Sequence, residues 1–162
     1  WLQYRKTASG LALLREHILG PERFDAAFRE YIRRWAFKSP RPADFFRTIE
    51  DVSGEDLGWF WAGWFYSTRT LDHAVESAAY DEGNDQNTVT FVNEGGLIMP
   101  VLYEVEYKDG RTERRTLPAE AWFYRDRVST AWSGAGSKVV RVTIDPDKVM
   151  PETSRGNNEW GR

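Results

Sequence analysis

The sequence predicts an α+β chain in two segregated parts. About four N-terminal helices, residues 1–69, precede an antiparallel Ig-like β-sandwich, residues 70–162. Three observations lead there. Apolar residues recur at helical spacing before residue 70, then alternate with period two after Leu71. Proline and glycine punctuation cuts both halves into short runs. Hydrophobic residues make up 41% of the 162, with 8 Trp, 7 Tyr and 9 Phe, which is ample material for packed cores.

The first helix runs from about Tyr4 to Leu19, with Ala8, Leu11, Ala12, Leu14, Ile18 and Leu19 as its apolar stripe. Gly20-Pro21 ends it, and Pro21 suits the first position of the next helix. Phe24, Ala27, Phe28, Tyr31, Ile32 and Trp35 then keep an amphipathic pattern. Ser39-Pro40-Arg41-Pro42 breaks the chain again. Pro42 opens a third helix, whose inner face is Phe45, Phe46, Ile49 and Val52. Ser53-Gly54-Glu55-Asp56 resembles a capping box for a fourth helix carrying Leu57, Phe60, Trp61, Trp64 and Phe65. Trp59 falls beside that stripe.

In the second half, Val101, Tyr103, Val105 and Tyr107 alternate with Leu102, Glu104 and Glu106. Lys108-Asp109-Gly110 reads as a hairpin turn returning through Arg111 to Leu117, with Arg114 and Arg115 able to face Glu104 or Glu106. Further strands are expected at 72–80, 87–93, 119–125 and 138–144. Loops are expected at 81–86, 93–96, 133–137 and 145–147. Roughly seven short strands at 8–12-residue spacing read as a sandwich.

Composition excludes several function classes. The formal charge is −3 with both signs interspersed, so no basic field is offered to nucleic acid. No apolar run approaches the roughly 18 residues of a spanning helix, so no membrane segment is expected. The lack of cysteine removes disulfides, thiolate zinc sites and cysteine catalysis. It accords with export of the parent protein in a bacterium as well as with an interior compartment. The chain opens at Trp1, without Met, inside a helical pattern, and we expect a piece of a longer polypeptide.

Candidate chemistry is sparse. Zinc needs three or four convergent ligands, and His17 and His73 are the two histidines, one in each half. Asp81, Glu82 and Asp85 crowd one loop, but without the spacing of a calcium hand, and read as a solvated turn. Glu50-Asp51 and Glu55-Asp56 are neighbours that point apart along a helix, so neither pair converges on a substrate. Trp59, Trp61 and Trp64 could stack a sugar, but at helical spacing they read first as core. Tyr4 remains: a phenol can donate a hydrogen bond to a developing oxyanion.

An ordered series follows that tyrosine. Tyr4-Arg5-Lys6, Gly10-Leu11-Ala12-Leu13-Leu14-Arg15, Leu19-Gly20, Phe24, Phe28, Tyr31, Asp44-Phe45, Ser53-Gly54, Asp56-Leu57 and Phe60-Trp61 through Trp64 appear in turn. Together they resemble the last part of the catalytic domain in the aminopeptidase N family, gluzincin zinc metallopeptidases with a thermolysin-like core. Thr88 to Gly96, Met99-Pro100-Val101, Asp109-Gly110, Ile144-Asp145-Pro146 and Asn157 to Trp160 resemble the β-sandwich that follows it in bacterial members.

The resemblance implies a parent that hydrolyses N-terminal residues from peptides with zinc. Tyr4 would be its oxyanion stabiliser, and Lys6 would hold a structural role. The His-Glu-x-x-His and Gly-x-Met-Glu-Asn segments that the family uses for zinc and for the substrate amine are absent from these residues. The expectation is therefore a C-terminal fragment, inactive alone, with no metal of its own. Its natural partner would be the missing N-terminal catalytic part, and its exposed helical face would favour self-association. The alternative is a non-catalytic β-sandwich binding module with a helical cap.

Overall fold

Pro21 and Pro42 each open a helix, and the apolar residues behind them set which face turns inward. In the computed structural model, which describes residues 2–161 with side chains from Arg5 onward, the helices are α1 (Leu2–Leu13), α2 (Pro21–Trp35), α3 (Pro42–Ser53) and α4 (Gly58–Tyr66). The chain divides into two compact units, residues 1–68 and 69–162.

Continuing directly from α1, the helix widens to π geometry over Leu14–Leu19. That change has a packing consequence. Residues five apart come into line when each N–H reaches the fifth carbonyl back, and Leu14 and Leu19 are both buried. The inner face of α1 is Gly10 and Leu13, with Leu14 next; Ala8 and Ala12, expected to be inside, are exposed. In α2, Phe24 and Ala27 are buried, whereas Phe28 and Ile32 remain 40% and 51% exposed. Val52 of α3 is likewise exposed, while Phe46 and Ile49 carry its buried face.

The expected capping of α4 by Ser53 is not what forms. Ser53 is the last residue of α3, and Gly54 takes the left-handed conformation (φ 73°) that closes it, its N–H donating to the Glu50 carbonyl at 2.8 Å. A glycine cap competes with a serine cap over the same few residues, and here glycine's freedom at positive φ decides. Helix α4 instead begins where Glu50 accepts the Leu57 N–H at 3.1 Å and Asp56 accepts the Gly58 N–H at 3.0 Å. An acidic cap does occur at α3: Asp44 accepts the Arg41 N–H at 2.7 Å. Phe46 stacks on Trp61 with centroids 4.4 Å apart, and Phe60 and Trp64 are buried beside them.

Unit two is a β-sandwich of two antiparallel sheets. One has the order β1 (His73–Asp81), β2 (Gln86–Asn93), β5 (Arg127–Ser133). The other has the order β4 (Thr112–Leu117), β3 (Val101–Tyr107), β6 (Val139–Ile144), β7 (Glu159–Gly161). Inward residues of both sheets, among them Val89, Phe91, Tyr103, Val105 and Val142, form one core, with Phe91 and Tyr103 centroids 4.8 Å apart. The Tyr107–Arg111 turn has only Gly110 at positive φ (86°), and the Asp109 carboxylate accepts the Arg111 N–H. Glu104 lies opposite Arg114, as the alternation predicts, and Arg114 also reaches Asp147 at 2.6 Å.

The strand expected at 119–125 does not form. Pro118 and Ala119–Trp122 form a single tight 3-10 turn, with the Ala121 N–H bonded to the Pro118 carbonyl. Proline has no N–H for a ladder, and alanine and glutamate favour strands weakly. The strand lies later, at β5, where Val128, Thr130 and Trp132 turn toward the core.

Candidate functional site

Tyr4 lies on the backbone of α1, within its first turn. Its side chain lies outside the described residues. What the structure supplies is the setting of that turn. Lys6, two residues on, is half-buried, and its Nζ donates to the Ser67 carbonyl at 2.9 Å and approaches the Gly63 carbonyl at 3.5 Å. Those carbonyls end α4, where the helix dipole is negative and carbonyls lack intrahelical partners. Ser67 Oγ also donates to the Gly63 carbonyl at 2.7 Å. Burial pushes the Lys6 ammonium below its ordinary pKa. One helical turn further, Gly10 lies under the Trp64 indole. Lys6 and Gly10 are four apart and so share a helix face, and that face is held by α4.

The other residues singled out by sequence are employed elsewhere. His17 is half-buried in the π segment. His73 is buried, its ring stacked on Trp122 at 5.3 Å, its backbone N–H donating to Glu152 at 2.9 Å. The second Glu152 oxygen is 3.6 Å from His73 Nδ1. Glu152 stands 79 residues away in sequence and carried no signal there.

Asp81 accepts the Asn84 side-chain amide and the N–H groups of Asn84 and Gly83, which hold its pKa below the usual carboxylate range. Asp85 accepts Ser133 Oγ, the Tyr80 hydroxyl and the Gly136 N–H, and is lowered for that reason. These carboxylates fasten two turns instead of converging on a cation. Glu50 serves α4, accepting both the Leu57 N–H and Trp61 Nε1 at 3.0 Å. Asp51 pairs with Arg34, and Glu55 with Arg23. Trp61 and Trp64 are core residues. Among the described residues, no three His, Asp or Glu side chains gather as metal ligands, so a zinc ion has no fitting site there. No described helix is long and apolar enough to cross a membrane.

One glycine in the sandwich marks a close backbone approach. A β-carbon at Gly95 would fall 2.1 Å from the Thr70 carbonyl oxygen, so the Asn93 to Gly96 corner tolerates no side chain there.

No family model matches the chain. Over 56 residues, 35% of its length, it is 36% identical to Aminopeptidase M1-D of Oryza sativa subsp. japonica, and equally to Aminopeptidase M1-C of the same plant. That match spans 6% of each relative. The fold resembles that of Legionella pneumophila aminopeptidase A, solved in complex with aspartic acid. The TM-score is 0.63 at 14% sequence identity, covering 89% of this chain and 16% of that one. A likeness at that identity is one of fold. The chain is thus distantly related, over part of its length, to the M1 aminopeptidases, and its fold matches part of the Legionella aminopeptidase A structure.

Proposed function

We propose that this chain is part of a zinc-dependent aminopeptidase that removes N-terminal residues from peptides. In this reading residues 1–69 are the C-terminal helical part of a thermolysin-like, gluzincin catalytic domain, and residues 70–162 are the sandwich that follows. The carrying observation is the partial identity with two plant aminopeptidases, in a chain whose Tyr4-Arg5-Lys6 opens a helix. The fold likeness is in keeping with it.

In the proposed enzyme, the zinc ligands and the general base lie in the missing N-terminal part, which is this chain's partner. Tyr4 donates a hydrogen bond to the oxyanion that forms as the peptide carbonyl is attacked. One hydrogen-bond donor, without metal or base, gives little rate enhancement, so the 162-residue chain alone is expected to be inactive. The exposed Phe28 and Ile32 of α2 offer an apolar surface through which the isolated chain would self-associate. The test is an amino-acid anilide assay of the purified chain with added zinc. We expect no turnover above that of zinc alone. Sustained turnover abolished by a chelator would refute the fragment reading.

A further inference from the structure

We infer that Lys6 is a positioning residue: by gripping the carbonyls that end α4, it fixes the first turn of α1, the turn on which Tyr4 sits. The inference rests on the aminopeptidase reading only for what Tyr4 does there; the grip itself is a matter of geometry.

Three observations carry it. Lys6 Nζ lies 2.9 Å from the Ser67 carbonyl and 3.5 Å from that of Gly63, so one ammonium spans two acceptors at the same helix end. Ser67 Oγ donates at 2.7 Å to one of those two acceptors, the Gly63 carbonyl. Gly10, one turn along the same face, lets α1 approach until its backbone meets the Trp64 ring. Helix α1 is therefore held to α4 at two heights, by packing at Gly10 and by charge at Lys6.

A first helical turn is the part most prone to fray, since its own N–H groups lack intrahelical acceptors. Packing at Gly10 acts more than a turn away. Lys6 acts at the end of that turn, immediately after Arg5, and its four-carbon stem is long enough to reach α4 from there. Its lowered pKa follows from the same burial that shields the contact. A group that holds a catalytic tyrosine's backbone in place would raise the fraction of time that the hydroxyl spends where it is needed.

Hydrogen exchange on the folded chain tests this directly. In α1 the amides of residues 6–9 bond to the carbonyls of residues 2–5, so they report the first turn. Lys6→Met, which keeps the stem and removes the donors, should speed their exchange about tenfold while amides of α2 and α3 keep their rates. Lys6→Arg, which restores a cation, should stay within about threefold of the parent chain. Should Lys6→Met not fold, Lys6→Gln carries the same comparison. Unchanged exchange at residues 6–9 would overturn the inference, and so would equal acceleration throughout the helical unit. The outcome does not depend on peptidase chemistry. A failure of the aminopeptidase reading therefore appears in turnover, and a failure of the grip appears in exchange.

Discussion

A β-carbon placed on Gly10 would fall 2.9 Å from Cε3 of Trp64. The two residues thus set how closely α1 and α4 approach, and they do so with backbone on one side and a buried indole on the other. Gly10→Ala gains about 1 kcal/mol of helix propensity. It also forces the indole or the helix to move, at a cost of about 1–3 kcal/mol. We predict a net loss of about 0–2 kcal/mol, read from urea unfolding followed by tryptophan emission. A variant more stable than the parent by the full propensity gain of about 1 kcal/mol would show that the approach is not tight.

Asn87 joins the two sheets of the sandwich. Its side chain is buried, donating from Nδ2 to the Ser137 carbonyl at 3.0 Å and accepting the Val139 N–H at 2.8 Å. Alanine there would strand a buried donor and a buried acceptor at once. Asn87→Ala should destabilise by about 2–4 kcal/mol, whereas Asn84→Ala, on the exposed turn nearby, should cost under about 1 kcal/mol. Similar midpoints for the two variants in denaturant would contradict this account of the inter-sheet link.

How much of this was legible beforehand varies by element. Pro21 and Pro42 marked two helix starts to the residue, because proline acts locally and needs no tertiary partner. The inner face of α1 was not legible. Ala8 and Ala12 fit an ideal stripe, but the close packing at Gly10 and the π widening after Leu13 rotate the buried face onto Leu13, Leu14 and Leu19.

Trp122, Phe123 and Tyr124 are residue types that favour strands, yet the segment after Pro118 forms a 3-10 turn. Ser, Thr and Ala dilute the alternation of β5, and β7 is too short to show a period. Of the candidate site, the Tyr-x-Lys spacing could be read directly. The acceptors of Lys6 stand about sixty residues away, and no local pattern announces a backbone carbonyl as a partner.

Glu30 should titrate far below an ordinary carboxyl group. Hydrogen bonds from Arg33, then from Arg34, hold its pKa down to about 2 from 4.5. A depressed folded value means that the interaction stabilises the fold above the ordinary carboxylate range. That contribution is lost as pH falls from about 4.5 toward 2. Carbon-detected NMR of the Glu30 carboxyl should therefore show a midpoint near 2. A midpoint near 4.5 would mean that the two arginines do not hold it in solution.

Glu50 should matter more to α4 than to its own helix. Its Oε1 accepts both Leu57 N–H and Trp61 Nε1. Glu50→Gln keeps an acceptor and should cost under about 1 kcal/mol, while Glu50→Ala leaves both donors unpaired and should cost about 1–3 kcal/mol. Equal losses for the two would mean that the carboxylate charge, not its hydrogen bonds, secures the start of α4.

Under the proposed function, Tyr4 belongs to the chemistry of an aminopeptidase whose remaining machinery lies in another part of the same polypeptide. Turnover of an amino-acid anilide by that intact polypeptide, with Tyr4 and with Tyr4→Phe, tests it most directly. Removing an oxyanion donor should lower kcat by about 100–1000-fold with KM nearly unchanged. An unchanged kcat in the phenylalanine variant would contradict it.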